Sequence, residues 1–85
     1  MKHFASSDFW RSFDQLPSEI QQLARANFEL LKTNPRHPYL HFKKAGSYWS
    51  VRVGLTYRAI GTEVDGGILW GWIGSHSAYD KLISS

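Results

Sequence analysis

The sequence predicts an α+β fold: two N-terminal helices packed on one small, mainly antiparallel twisted sheet. Three observations predict it. "PSEIQQLARANFELLKT" carries an apolar stripe at helical spacing, "YWSVRV" and "GILWGWIG" read as strands, and "NPRHPYL" breaks the chain between the two halves. Helices followed by a run of strands is the order expected when helices cover one face of an antiparallel sheet.

The elements follow in order. "KHFAS" reads as a short edge strand. Ser7 is a plausible N-cap, its hydroxyl accepting from a first-turn amide, and Phe9, Phe13 and Leu16 lie behind it at helical spacing. Pro17 suits the first turn of a second helix, where its missing N–H costs nothing. In that helix Ile20, Leu23, Ala24, Phe28 and Leu31 form one stripe at spacings of three and four. Gln21, Gln22, Arg25, Glu29 and Lys32 take much of the opposite side. Pro35 stops the helix and pushes Asn34 toward extended geometry.

A strand around Leu40–Lys44 then turns Leu40 and Phe42 inward and His41 and Lys43 outward. In "YWSVRV", Trp49, Val51 and Val53 share one face while Tyr48, Ser50 and Arg52 share the other. "TYRAIG" follows a short turn containing Gly54. "GILWGWIG" follows a turn at "DGG", a strong hairpin signal. One helical turn in the tail would set Tyr79 beside His76.

Eighty-five residues make one domain, 1–85, with no room for a second. A chain this short buries only about 60–65% of its unfolded surface. Four Trp, four Tyr and five Phe suit such a core, since each ring buries roughly 150–250 Å². The absence of cysteine excludes disulfides, thiolate catalysis and Cys-type zinc sites, and suits a reducing compartment. "MKHFASSDFW" is not a secretory signal. "ILWGWI" falls far below the ~18 apolar residues that span a bilayer. The expectation is a cytoplasmic protein without a membrane partner.

The net charge of +3 is unevenly spread. From Leu30 to Thr62 there is no Asp or Glu, against Lys32, Arg36, Lys43, Lys44, Arg52 and Arg58, with His37 and His41 among them. Residues 1–29 sum to −1 and residues 63–85 to −2, so the middle third holds all the net positive charge. A one-signed segment is either the footprint of a polyanion partner or a solvated basic face.

Whether Arg52 and Arg58 share a face depends on the loop between them. A three-residue loop, Gly54–Thr56, pairs Val53 with Tyr57 and Arg52 directly with Arg58. A two-residue loop pairs Arg52 with Tyr57 and sends Arg58 to the other face. Directly opposed arginines repel, a cost that a bridging phosphate offsets because the guanidinium fork matches its oxygens. The plainer alternative has each arginine lying over aromatics or pairing with Asp65 or Asp80. Lys43 and Lys44 would hold a phosphate backbone without reading bases.

His76 is the residue that could both give and take a proton near neutral pH. Ser75 and Ser77 flank it with no oriented base behind. His37 and His41 make no metal site, since Pro38 prevents a helix and a strand would hold them ~13 Å apart. No glycine-rich phosphate loop is present, and no cofactor is expected.

Three stretches, "FDQLPSEIQQLARANFELLKTNPRHPYLHFKK", "YWSVRVGLTYRAIG" and "WGWIGSHSAYDKL", stand in the order and spacing of a known family. The chain resembles the RelE/ParE superfamily, the toxin half of bacterial and archaeal type II toxin–antitoxin pairs, from about Phe4 to Ile83. The resemblance implies a RelE-like sheet with two N-terminal helices and a cognate antitoxin that covers the basic face. Many members cut messenger RNA in the ribosomal decoding site without a metal; others poison DNA gyrase and lack a nuclease site. By the nuclease pattern Arg52, Arg58, His76 and Tyr79 match catalytic positions, and Lys43, Lys44 and His41 match RNA-contacting ones.

The implied chemistry is attack by a ribose 2′-hydroxyl on the adjacent phosphate, giving a 2′,3′-cyclic phosphate. His76 would protonate the leaving oxygen, Arg52 and Arg58 would stabilise charge on phosphorus oxygens, and Tyr79 would stack on a base or position the phosphate. The carboxylate base of some family nucleases has no counterpart between residues 30 and 62, so Lys43, Lys44 or a second histidine takes its place, or none is needed. A gyrase-inhibiting toxin and a non-toxic antitoxin-binding relative are the alternative readings.

Overall fold

The computed structural model describes residues 1–84. In chain order they form β1 (Lys2–Ala5), α1 (Ser7–Asp14), α2 (Ser18–Thr33), a 3-10 turn (Pro38–Leu40), β2 (Lys43–Ala45), β3 (Tyr48–Val53), β4 (Tyr57–Val64), β5 (Gly67–Ser75) and α3 (His76–Ser84). The strands make one five-stranded sheet in the order β1-β5-β4-β3-β2. β2 to β5 are an antiparallel meander, and β1 adds to the β5 edge in parallel. The α+β expectation holds, and the sheet is mixed.

β1 covers only the first half of β5, from Gly67 to Trp70. Helix α1 covers part of the second half, where Ser12 Oγ accepts from the Ile73 amide at 3.1 Å. The N-cap of α1 is Ser6, one residue before the expected Ser7. Ser6 keeps an extended backbone (φ −80°, ψ 167°), and its Oγ accepts from the Phe9 amide at 3.1 Å, whereas Ser7 is already helical.

The core lies between helices and sheet, where Phe13, Leu31 and Leu40 meet Val51, Val53, Ala59, Ile68, Trp70 and Ile73. The stripe of α2 is only partly covered. Leu31 is buried, but Leu23 and Phe28 remain 37% and 38% exposed. Phe28 lines, with Phe4 and Trp10, an apolar groove of about 580 Å³ between the helices and the sheet.

The expected strand over Leu40–Lys44 is corrected. The His37 side chain caps the segment, Nδ1 accepting from the Tyr39 amide at 3.2 Å, and Pro38 starts a 3-10 turn rather than a strand. Leu40 is fully buried from within that turn. His41 then takes a left-handed backbone, φ 42°, and pairing begins only at Lys43. Phe42 does face inward, stacked on Trp49 at 4.7 Å.

The β3–β4 loop is the three-residue one: Val53 pairs with Tyr57 and Arg52 with Arg58. Gly54 makes it possible. Its φ is +63°, and a Cβ there would stand 2.7 Å from Leu23 Cδ2, so a side chain would meet both backbone strain and the flank of α2. The tail forms a nine-residue helix instead of one turn. Ser75 Oγ accepts from the Ala78 amide at 3.2 Å, and the His76 amide donates to the Thr56 carbonyl at 2.6 Å, tying α3 to the β3–β4 loop.

Candidate active site

Strand alternation sets the face opposite the core. Since Val51, Val53 and Ala59 point into the core, Ser50, Arg52 and Arg58 point the other way. Lys43 pairs with Ser50 and so shares that face. Lys44 does not. It lies beside Trp49 on the core side, and its ammonium is 3.3 Å from Glu63 Oε1. The Trp49 indole N–H also donates to that carboxylate, at 3.0 Å. This indole bond, and then Lys44, hold the Glu63 carboxyl below the usual range. Lys44 thus leaves the basic face, because an acid just past the acid-free segment reaches back to it.

Arg58 is the centre of the site. It is 6% exposed and, among the described residues, has no carboxylate partner. Its Nη2 donates to Ser50 Oγ at 3.2 Å and, at 3.5 Å, to the His41 carbonyl. Its Nε, though buried, has no acceptor. The guanidinium carbon sits 5.2 Å from the Tyr79 ring centroid, a cation–π contact. Tyr79 is itself buried, and hydrogen bonding to it raises the pKa of the Tyr48 phenol.

Arg52, directly opposite Arg58, extends one Nη to His41 Nε2 at 3.1 Å. A guanidinium only donates, so this contact fixes Nε2 as the acceptor and puts the ring proton on Nδ1. The left-handed backbone at His41 therefore turns its carbonyl to one arginine and its imidazole to the other. Strain of this kind persists where surrounding contacts over-determine it.

His76 Nδ1 lies 3.2 Å from Asp80 Oδ2, one helical turn on. A carboxylate on Nδ1 orients the ring and leaves Nε2 to meet a ligand. The His76 ring is 5.9 Å from the Tyr79 ring, so Tyr79 neighbours both His76 and Arg58.

The structure thus brings together Arg52, Arg58, His41, Tyr79 and His76, with Lys43 on the same face, and sets Lys44 apart. Asp80 pairs with the imidazole rather than with an arginine. Ser50, Tyr48 and Asp80 are the site residues that sequence reasoning missed. Ser50 and Tyr48 were legible as sharing the Arg52 face, and Asp80 lies at the i,i+4 spacing that places two helical residues together. Among the described residues no three His, Cys, Asp or Glu side chains cluster as a metal would need. Nor, among the described residues, is any helix long and apolar enough to cross a membrane.

No family model matches the sequence, and no curated protein matches it either. Solved structures do. A chain of a RelB–RelE antitoxin–toxin complex from Methanococcus jannaschii superposes with a TM-score of 0.69 at 20% identity, covering 92% of this chain and 96% of that one. YafQ from Escherichia coli gives 0.68 at 15% identity, over 92% and 96% of the two chains. The isolated RelE toxin of Escherichia coli gives 0.63 at 10% identity, over 96% and 94%. At these identities the likeness is one of fold: the chain has the RelE-like toxin fold.

Proposed function

We propose that this chain is a single RelE/ParE-like toxin domain of a type II toxin–antitoxin pair, and that it is a metal-independent, ribosome-dependent mRNA endoribonuclease. One observation carries the reading. Arg52 and Arg58 oppose each other on one face, with His41 bonded to both, and the Arg58 charge is buried with no acid beside it among the described residues. A buried unpaired cation is costly, and an anionic ligand is the natural completion of this pocket.

A phosphodiester fits it. Arg52 turns from His41 Nε2 to the phosphate, and the freed Nε2 takes the proton of the ribose 2′-hydroxyl as that oxygen bonds to phosphorus. The bond from phosphorus to the 5′-oxygen breaks, and His76, held by Asp80, gives that oxygen a proton from Nε2. The products are a 2′,3′-cyclic phosphate and a 5′-hydroxyl. The two guanidinium groups stabilise the charge that grows on the non-bridging oxygens, and Tyr79 steadies Arg58 from below. Lys43 holds the flanking strand as a point charge. His41 fills the role for which the sequence offered no carboxylate.

An antitoxin is the protein partner. The open apolar groove, with Phe4, Trp10 and Phe28 still 38–43% exposed, supports a covering chain. One of the structural neighbours was solved as an antitoxin–toxin complex.

The test is expression of the wild type beside His76→Ala and Arg52→Ala, with cellular RNA ends mapped. Growth arrest with cleavage inside codons is expected for the wild type, and loss of both for each variant. Arrest that survives His76→Ala while DNA breaks accumulate would assign the chain to gyrase inhibition.

A further inference from the structure

Beyond the terminal Met1, the most exposed large apolar side chains among the described residues are Leu55 at 83% and Tyr39 at 75%. They come from separate segments, the β3–β4 loop and the 3-10 turn, yet both line one groove of about 300 Å³ together with Arg52. Leu23, Asn27 and Gly54 complete its lining.

Tyr39 is exposed but firmly held. Its amide donates to His37 Nδ1 at 3.2 Å, and the two rings lie 5.1 Å apart. Pro38 limits the backbone before it, and Leu40 after it is anchored in the core. The turn buries one neighbour and presents the phenol ring outward, in the groove that Arg52 also lines. A rigid aromatic face loses little freedom when a flat partner settles on it.

The surrounding charge selects the partner. Tyr39 and Leu55 both fall in the segment from Leu30 to Thr62 that has no Asp or Glu, and Arg36 and Lys43 are the nearest charged residues to Tyr39 along the chain. Single-stranded RNA offers what this setting asks for: splayed bases that stack on aromatic rings beside a phosphate gripped by cations.

We propose that Tyr39 is the stacking platform for a nucleobase next to the phosphate held by Arg52 and Arg58, with Leu55 forming another wall of that base's groove. The inference rests on the nuclease reading above and adds a base-binding subsite to it. Tyr39 touches no reacting atom. It fixes the register of the strand, so its loss weakens binding and base preference while leaving the chemical groups in place.

The test uses the full chain and ribosomes programmed with an mRNA that is 2′-O-methylated at the cleaved ribose and carries 2-aminopurine on one or the other side of it. Wild type and Tyr39→Phe are expected to quench the 2-aminopurine on one side. Tyr39→Ala is expected to lose the quench and to bind roughly 5- to 100-fold more weakly, the range of one base–aromatic stack. Thermal melting of Tyr39→Ala at the wild-type temperature would confirm that the fold is intact. Wild-type quenching and affinity in Tyr39→Ala would overturn the proposal, whether or not that variant also loosens its grip on the antitoxin. A wild type that fails to engage the programmed ribosome at all would refute the nuclease reading, and this one with it.

Discussion

Removing the buried charge at the centre of the site should make the protein more stable and inactive. Arg58 is 6% exposed, and the bonds that hold it are to neutral groups: Ser50 Oγ at 3.2 Å, the His41 carbonyl at 3.5 Å and the face of Tyr79. The two hydrogen bonds from the cation, both long, contribute about 1.5 kcal/mol each, and the desolvated cation–π contact about 2. Against these, the effective cost of burying an ion is several kcal/mol, and the orphaned Nε adds about 1–3. Arg58→Met alone leaves the fully buried Ser50 hydroxyl without its partner, so its gain is small. Arg58→Met with Ser50→Ala removes both polar groups. It is expected to gain about 1–2 kcal/mol, roughly 5–15 °C in Tm for a domain of this size. Urea and thermal melts of the three proteins provide the assay, with RNA cleavage read alongside. Added sulfate should raise the Tm of the wild type more than that of the double variant. A double variant less stable than the wild type would refute the claim that Arg58 is held at a cost for the sake of a ligand.

The other predictions are simpler. Lys43→Ala is expected to weaken RNA binding and flatten its salt dependence by about one counterion, whereas Lys44→Ala, which only frees Glu63, leaves both nearly unchanged in a salt titration. Gly54→Ala puts a Cβ against Leu23 in a left-handed turn and should cost about 1–3 kcal/mol in urea melts. His3 accepts from the Trp70 indole at 3.1 Å. Burial, and then the terminal amine and Lys32, lower its pKa from 6.5. Below pH 6.5 the unfolded chain therefore takes up this proton first. Stability should decline as pH falls through that value and level off below the folded pKa. His3→Gln should flatten this part of a pH series of melts.

Much of the fold was legible because its signals are local. The stripe of α2, the alternation of β3 and the "DGG" turn each report on a few neighbouring residues. The β3–β4 register was posed by the sequence as two options, and the structure takes the one that opposes Arg52 and Arg58, which the positive φ of Gly54 permits. What escaped depended on distant contacts. His37 capping its own turn, and Leu40 reaching the core from it, displaced the strand expected there. The left-handed His41 has no sequence signal, since it is held by two arginines far along the chain. Lys44 looked free because Glu63 lies one residue beyond the acid-free segment, and strand pairing brings it back. Asp80 was in plain view, but its partner depended on how far α3 extends.

The chemistry of the cut end tests the central claim most directly. Purified protein is mixed with ribosomes carrying a defined mRNA, and the new 3′ ends are analysed by mass spectrometry. A 2′,3′-cyclic phosphate is expected, together with loss of cleavage when the ribose at the cut is 2′-deoxy. A 3′-hydroxyl end, or cleavage that persists on the deoxy substrate, would contradict the account.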